Sequence, residues 1–124
     1  MGGKLAEPRK QTTNDFIADV AKGKGIPELW IGINDIKEEG TFIYGSNDAP
    51  IIWTNWCPAP GQPNNRDGQE HCVILGITKI TNNNDYYILS SSEQQEKWFD
   101  AKCDYTLPFV CERIMQGMFD FPTL

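Results

Sequence analysis

The 124-residue sequence contains no run of 18 apolar residues, and so no stretch that would cross a bilayer as a helix. It is poor in positive charge: 11 Lys and Arg stand against 17 Asp and Glu, for a formal charge of −6. Binding a phosphate backbone needs a basic surface, so nucleic acid is not expected as a partner. There is one histidine, His71, and neither a G-x-S-x-G nor a G-x-x-x-x-G-K-[ST] stretch. Any Ser-His or Cys-His pair would have to use His71, and no partner for it is indicated. Beside Cys72 it reads as a solvated polar residue. No enzyme is expected. No Asn-x-Ser/Thr occurs, so no standard N-glycan is expected. Met1-Gly2-Gly3-Lys4 leads into no apolar segment of the signal-peptide kind.

Four cysteines are present, at positions 57, 72, 103 and 111, and none forms a C-x-x-C pair. That argues against a zinc cluster or a thioredoxin-like redox site. Their wide spacing allows three pairings and favours an oxidising, extracellular setting over four thiols in a cytosolic core.

The length suits one domain with one core. Residues 12–22 carry Phe16, Ile17 and Val20 at helical spacing, with Thr12 or Thr13 able to cap and Gly23 and Gly25 as stop signals. The remainder reads as short strands broken by turns: Leu29 to Ile33, Thr41 to Tyr44, Ile51 to Trp53, Cys72 to Ile77, Tyr86 to Leu89, Glu96 to Phe99 and Leu107 to Cys111. The class is α+β. Thr81 to Asp85 reads as a loop tip. The long polar stretch from Thr54 to His71 lies between apolar anchors, as functional loops do. After Cys111 the tail is weakly patterned, although Met115, Met118, Phe119 and Phe121 give it apolar surface for packing back or for a partner.

Within that loop, Gln62-Pro63-Asn64-Asn65-Arg66-Asp67-Gly68-Gln69-Glu70 concentrates carbonyl and carboxylate oxygens. Calcium takes six to eight such oxygens. A cis bond at the proline would point Gln62 and Asn64 to one side of the backbone, and Glu70 would close the site with a full negative charge. The same composition also suits a polar turn with no metal.

The surrounding residues form an ordered set: Gly2-Gly3-Lys4-Leu5-Ala6-x-Pro8-Arg9, Trp30-Ile31-Gly32-Ile33, Gly40-Thr41-Phe42, Trp53-x-Asn55-Trp56, Gln62-Pro63-Asn64, Glu70-x-Cys72, Trp98-x-Asp100-x-x-Cys103 and Phe109-Val110-Cys111-Glu112. This order resembles a C-type lectin domain, of the collectin-like carbohydrate-recognition kind, over residues 1–112. Residues 113–124 then form a C-terminal tail. The resemblance implies a secreted, non-catalytic module that binds a glycan through calcium. It implies a disulfide between Cys72 and Cys103. The family's partner for Cys111 precedes the Gly-Gly motif and is absent here, together with the family's first strand and first helix. Cys57 is then left to replace that partner, or Cys57 or Cys111 to link two chains.

Carried over residue by residue, the resemblance implies a principal calcium held by Gln62, Asn64, Glu70 and Asp100. The fifth family ligand, an Asn before Asp100, is Phe99 here and offers no oxygen. The same residues, with Phe99, would meet the sugar. Gln-Pro-Asn lies between the family's mannose-type and galactose-type motifs, and the lean is towards galactose. An aromatic ring against the sugar's apolar face would come from Phe99, with Trp56 assigned to the core by analogy. An auxiliary calcium would take Asp35, Glu39, Asn65 and Glu70, with His71 standing where the family usually has a carboxylate. The alternative implied by Phe99 and Gln62 is a domain of this family that binds a protein or surface without calcium.

Overall fold

The computed structural model describes residues 3–58, 61–83, 85–113 and 118–120. One helix, α1 (Gln11–Gly23), lies between strand β1 (Gly3–Leu5) and strand β2 (Glu28–Asn34). Strands β3 (Ile43–Tyr44), β4 (Cys72–Gly76), β5 (Lys79–Asn82), β6 (Asp85–Ile88), β7 (Lys97–Ala101), β8 (Cys111–Arg113) and β9 (Met118–Asp120) follow. They form three antiparallel sheets, ordered β1-β8-β9, β3-β2-β4-β7 and β5-β6. The α+β class expected from the sequence is the one observed.

The helix matches expectation in place but not in detail. Lys10, not a threonine, stands at its N-cap, and no side chain caps it. Its buried face is Asn14, Ile17, Ala18 and Ala21, while Phe16 is exposed. Two alanines, one isoleucine and one asparagine line this face, and the asparagine meets Trp98. The Trp98 indole donates to Asn14 Oδ1 at 2.8 Å, and Asn14 Nδ2 donates to the Glu96 carbonyl at 3.1 Å. A buried polar side chain is tolerated only when its hydrogen bonds are made, as here.

Ile51 to Trp53 is not a strand. Only Pro50 bridges to Ile43, and Trp53 instead packs edge-on against Trp98, with ring centroids 5.5 Å apart. Thr81 to Asp85 is not a loop tip throughout, because Thr81 and Asn82 belong to β5 and Asp85 to β6. Buried Glu28 holds β5 in place by accepting from the Thr81 N–H at 2.9 Å and the Thr81 hydroxyl at 2.6 Å. Strand β9, drawn from the expected tail, pairs with β8. Met115 and Phe121, named for the tail, lie outside the described residues, as do Gly2, Pro60 and Asn84.

Two apolar clusters lie on the two faces of the β2-β4-β7 sheet. One gathers α1 with Leu29, Ile31, Val73, Leu75 and Trp98. The other gathers Cys57, Ile74, Ile80, Leu89 and Phe99. Alternation along β7 thus sends Trp98 to one core and Phe99 to the other. At Gly76, a Cβ would meet Leu89 Cδ1 at 2.8 Å and Ile80 Cδ1 at 2.9 Å, so the β5-β6 hairpin packs closely on this glycine and a larger residue would make those side chains shift.

Cys72 and Cys103 form a disulfide, as the resemblance implied, closing a separation of 31 residues. Cys57 and Cys111 are not joined to each other. Cys57 is fully buried and its Sγ lies 3.9 Å from the Glu93 carbonyl. Its burial removes it as an interchain link, contrary to expectation.

Candidate functional site

The long loop is tied to β7 at its start. Trp98 N donates to the Asn55 carbonyl and Cys57 N to the Trp98 carbonyl, at 2.9 and 3.0 Å. Gln62 N then donates to the Cys57 carbonyl at 2.9 Å, which returns the chain towards β7. The Gln62-Pro63 bond is cis. Beyond it, Asn64 N and Asn65 N donate to the two carboxylate oxygens of Asp100, at 3.1 and 2.7 Å. Gln62 Oε1 accepts from Asp100 N at 3.2 Å. A short 3-10 turn, Arg66–Gly68, follows. Asn65 enters it in the left-handed region at φ 43°, which asparagine tolerates better than most residues. Its Oδ1 accepts from Glu70 N at 3.1 Å, and Glu70 Oε1 accepts from Arg66 N at 3.0 Å.

These bonds bring Gln62, Asn64, Glu70, Phe99 and Asp100 to the wall of one cavity of about 310 Å³. All five residues expected at the principal site are therefore together, although they come from a loop and a strand some thirty residues apart. Phe99 differs in its role. It is only 6% exposed and belongs to the second core, so it forms the cavity's floor and is not an open stacking face. Trp56 packs on the first core beside Phe42 and Trp98, in line with its expected place.

The electrostatics centre on two carboxyl groups. Glu70 is 7% exposed and Asp100 4%. Burial is the main reason that Glu70 is pushed up to about 7, and the nearby Asp100 carboxylate adds to it against the Arg66 N–H bond. Burial also raises Asp100, opposed by the N–H bonds from Asn65 and Asn64. Among the described residues, neither group is ion-paired to Lys or Arg. Two desolvated carboxylates beside two amide carbonyl oxygens are a hard, oxygen-rich donor set, with the Arg66 charge acting on Glu70 from the same cavity. That fits calcium in chemistry and in charge.

The sequence reading missed the opposite wall. Strands β5 and β6 supply Ile80 and Tyr87 to the cavity, Leu89 follows β6, and the 3-10 turn supplies Arg66. Arg66 Nη1 donates to the Tyr87 hydroxyl at 3.4 Å, and Asn82 Nδ2 donates to the same oxygen at 3.2 Å. The bond from Arg66 lowers the Tyr87 phenol below its usual range. The one available signal was Tyr86-Tyr87-Ile88, three bulky apolar or aromatic residues followed by the buried Leu89.

The residues expected at the auxiliary position lie near one another in part. Asp35, Glu39 and His71 converge, and Asn65 lines a pocket together with Glu39, while Asn65 and Glu70 also make the local bonds described above. His71 is not a simple solvated side chain, because its Nδ1 lies 3.1 Å from both Asp35 Oδ1 and Glu39 Oε1. Its acidic partners sit 36 and 32 positions away and could not be read from its neighbours in sequence.

Residues 1–113 match the family model for the lectin C-type domain. Collectin-10 of Xenopus tropicalis is 36% identical over 111 residues, covering 90% of this chain and 34% of that protein. Salivary C-type lectin 2 of Aedes albopictus is 37% identical over 117 residues, covering 90% of this chain and 69% of that protein. The chain thus spans about a third of the collectin's length. Among solved structures, the C-type lectin CEL-I from Cucumaria echinata has a TM-score of 0.66 at 19% identity, covering 88% of this chain and 66% of that one. The cow C-type carbohydrate-recognition domain of CD23, solved in the presence of an oligosaccharide, has a TM-score of 0.65 at 26% identity, covering 98% and 72%. With its fold, its Cys72–Cys103 bridge and a family match across nine tenths of its length, the chain belongs to the C-type lectin domain family.

Proposed function

We propose that the chain is a secreted, non-catalytic module that binds carbohydrate in a calcium-dependent way, with galactose-type sugars favoured. The observation that carries this reading is the convergence of Glu70 and Asp100, both desolvated, with Gln62 and Asn64 at one cavity. Those four residues would hold the calcium ion, which when bound supplies coordination positions for two vicinal sugar hydroxyls. The protein's own part is orientation. Gln62 and Asn64 amides donate to hydroxyl oxygens, while Glu70 and Asp100 accept from hydroxyl protons. The N–H bonds from Asn64 and Asn65 hold Asp100 in position before any ligand arrives. Phe99 supplies no fifth oxygen, which pushes the ion's affinity weaker than the roughly 10⁻⁴ to 10⁻³ M of extracellular modules. The lean towards galactose rests on Gln62, because Gln62-Pro63-Asn64 shares its first residue with the galactose-type motif and its last with the mannose-type one. Supporting extracellular residence are the disulfide Cys72–Cys103 and the relatives' collectin and salivary-lectin names. Cys111, partly exposed, is the cysteine available for linking two chains.

Calorimetric titration of calcium, followed by a glycan array with and without chelator, tests the proposal. Galactose-type binding that chelator abolishes is expected. Glycan binding that chelator leaves unchanged would overturn the calcium mechanism.

A second reading rests on strand β6. Tyr86, Tyr87 and Ile88 are all more than half exposed and stand beside the cavity. Such a surface suits a protein ligand bound without calcium, and binding to a protein partner in chelator would favour it.

A further inference from the structure

The wall of the cavity that faces the oxygen donors is built by Arg66 from the 3-10 turn and by Asn82 and Tyr87 from the β5-β6 hairpin. Arg66 and Tyr87 are exposed. The Tyr87 oxygen accepts from Arg66 Nη1 at 3.4 Å and from Asn82 Nδ2 at 3.2 Å. A hydroxyl oxygen has two acceptor positions, so both are taken and its own proton is left to donate outward. The bond from Arg66 makes this phenol a stronger acid than usual, and so a better donor. A guanidinium carries five N–H groups in a fixed fork. Among the described residues, the Arg66 side chain hydrogen-bonds Tyr87 alone, while Asp67 and Glu70 act on it through their charge. Its other N–H groups are left for a ligand.

Three charged side chains line the cavity: Glu70, Asp100 and Arg66. Without a metal, the carboxylates outnumber the guanidinium. A divalent cation held by Glu70 and Asp100 reverses the balance and leaves one positive charge in excess, that of Arg66. Asp67 and Asp85 bias Arg66 and Tyr87 by charge, but both stand outside the lining. A neutral sugar would leave the excess charge unanswered. A sulfate or carboxylate would accept two parallel bonds from the Arg66 fork and one from the Tyr87 hydroxyl, and bonds to an ionised acceptor are roughly twice as strong as neutral ones. A cavity of about 310 Å³ lies at the small end of ligand sites, roughly 300–1,000 Å³, and so suits one sugar ring with a substituent.

We propose that Arg66 and Tyr87 form an anion subsite of the carbohydrate cavity, so that the preferred ligand is a sugar bearing a sulfate or carboxylate group. The proposal rests on the calcium-dependent reading above and names the class of sugar that the same cavity takes. Arg66 holds the anion, and Tyr87 positions Arg66 and adds one donor.

The test is an array of matched galactose- and mannose-type glycans, each in neutral, sulfated and uronate form, probed with the full chain in calcium and in chelator. In calcium, an anionic form is expected to bind about tenfold tighter than its neutral counterpart. The larger ratio, sulfate or uronate, identifies the anion. Arg66→Gln keeps the backbone N–H that bonds Glu70 and should bring the ratio near unity, and Tyr87→Phe should lower it. The calcium affinity of Arg66→Gln, read by calorimetry, is expected to rise, because a positive charge acting on Glu70 has gone. Anionic forms bound no tighter than neutral ones, a ratio that survives both variants, or a fall in calcium affinity with Arg66→Gln would overturn the proposal and leave the calcium mechanism standing. Binding that chelator leaves unchanged, with a ratio still lost in Arg66→Gln, would overturn the calcium mechanism and uphold the anion subsite. A parent chain that binds none of these glycans would overturn both.

Discussion

Gln62 Oε1 accepts a hydrogen bond from the backbone N–H of Asp100 at 3.2 Å, so the loop's first motif residue is bound directly to the strand that carries the last one. The return contacts from Asn64 N and Asn65 N make this a closed bracket around the Asp100 carboxylate. Loop and strand are thereby joined on both sides of the carboxylate.

Replacing Glu70 by Gln separates metal binding from stability. The amide keeps an oxygen for Arg66 N but removes half of the site's carboxylate charge. Calcium affinity is expected to fall at least tenfold by calorimetry. Without calcium, the variant's melting temperature at pH 8 is expected to equal or exceed the parent's, because a desolvated like-charge contact has gone.

Replacing Phe99 by Asn supplies the missing oxygen but takes an aromatic ring out of the second core. Truncating a buried Phe costs about 3–5 kcal/mol. The expected result is tighter calcium binding together with a melting temperature lower by about 10 °C or more. A variant as stable as the parent would refute the core role assigned to this ring.

Stability should fall with rising pH when calcium is absent. The folded-state value for Glu70, about 7, lies above its ordinary 4.5, so the folded chain binds more protons than the unfolded one between those limits. Stability from this group is therefore present below about pH 4.5 and is lost as pH rises through about 7. The raised Asp100 acts in the same direction. Melting curves in chelator from pH 5 to pH 8 should show the decline, and saturating calcium should remove it. At pH 7, calcium binding should release roughly half a proton, read from the dependence of titration heat on buffer.

Reducing Cys72–Cys103 frees a loop of 31 residues and should cost roughly 3–4 kcal/mol on the chain-entropy model. Denaturant midpoints with and without reductant measure it. Cys57, fully buried, should react with a thiol reagent only after unfolding, whereas Cys111 should react in the native protein.

Much of this was legible in the sequence because the relevant signals are local. The helix, strands β2, β4 and β7, and the oxygen-rich loop each announce themselves by periodicity or composition. Asn14 did not, because an asparagine on a helix reads as exposed until its partners Trp98 and Glu96 are known. Thr81 and Asn82 are turn formers and suggest a loop, whereas their pairing with Tyr86 and Asp85, and the bonds of Thr81 to the distant Glu28, make them strand residues. Ile51 to Trp53 has strand composition, yet its Trp53 is engaged by Trp98 in place of a neighbouring strand. At the site, the four oxygen donors were visible in their motif. The wall built by Tyr87 and Arg66 was not, because it depends on how the β5-β6 hairpin folds back at Gly76.

Phe99 stands between Ile80 and Leu89 in the second core while its chain neighbour Asp100 faces the cavity. An oxygen-bearing side chain at position 99 would therefore have to be accompanied by added volume beneath the hairpin, for instance at Ile80 or Ala101, to refill the space the ring leaves.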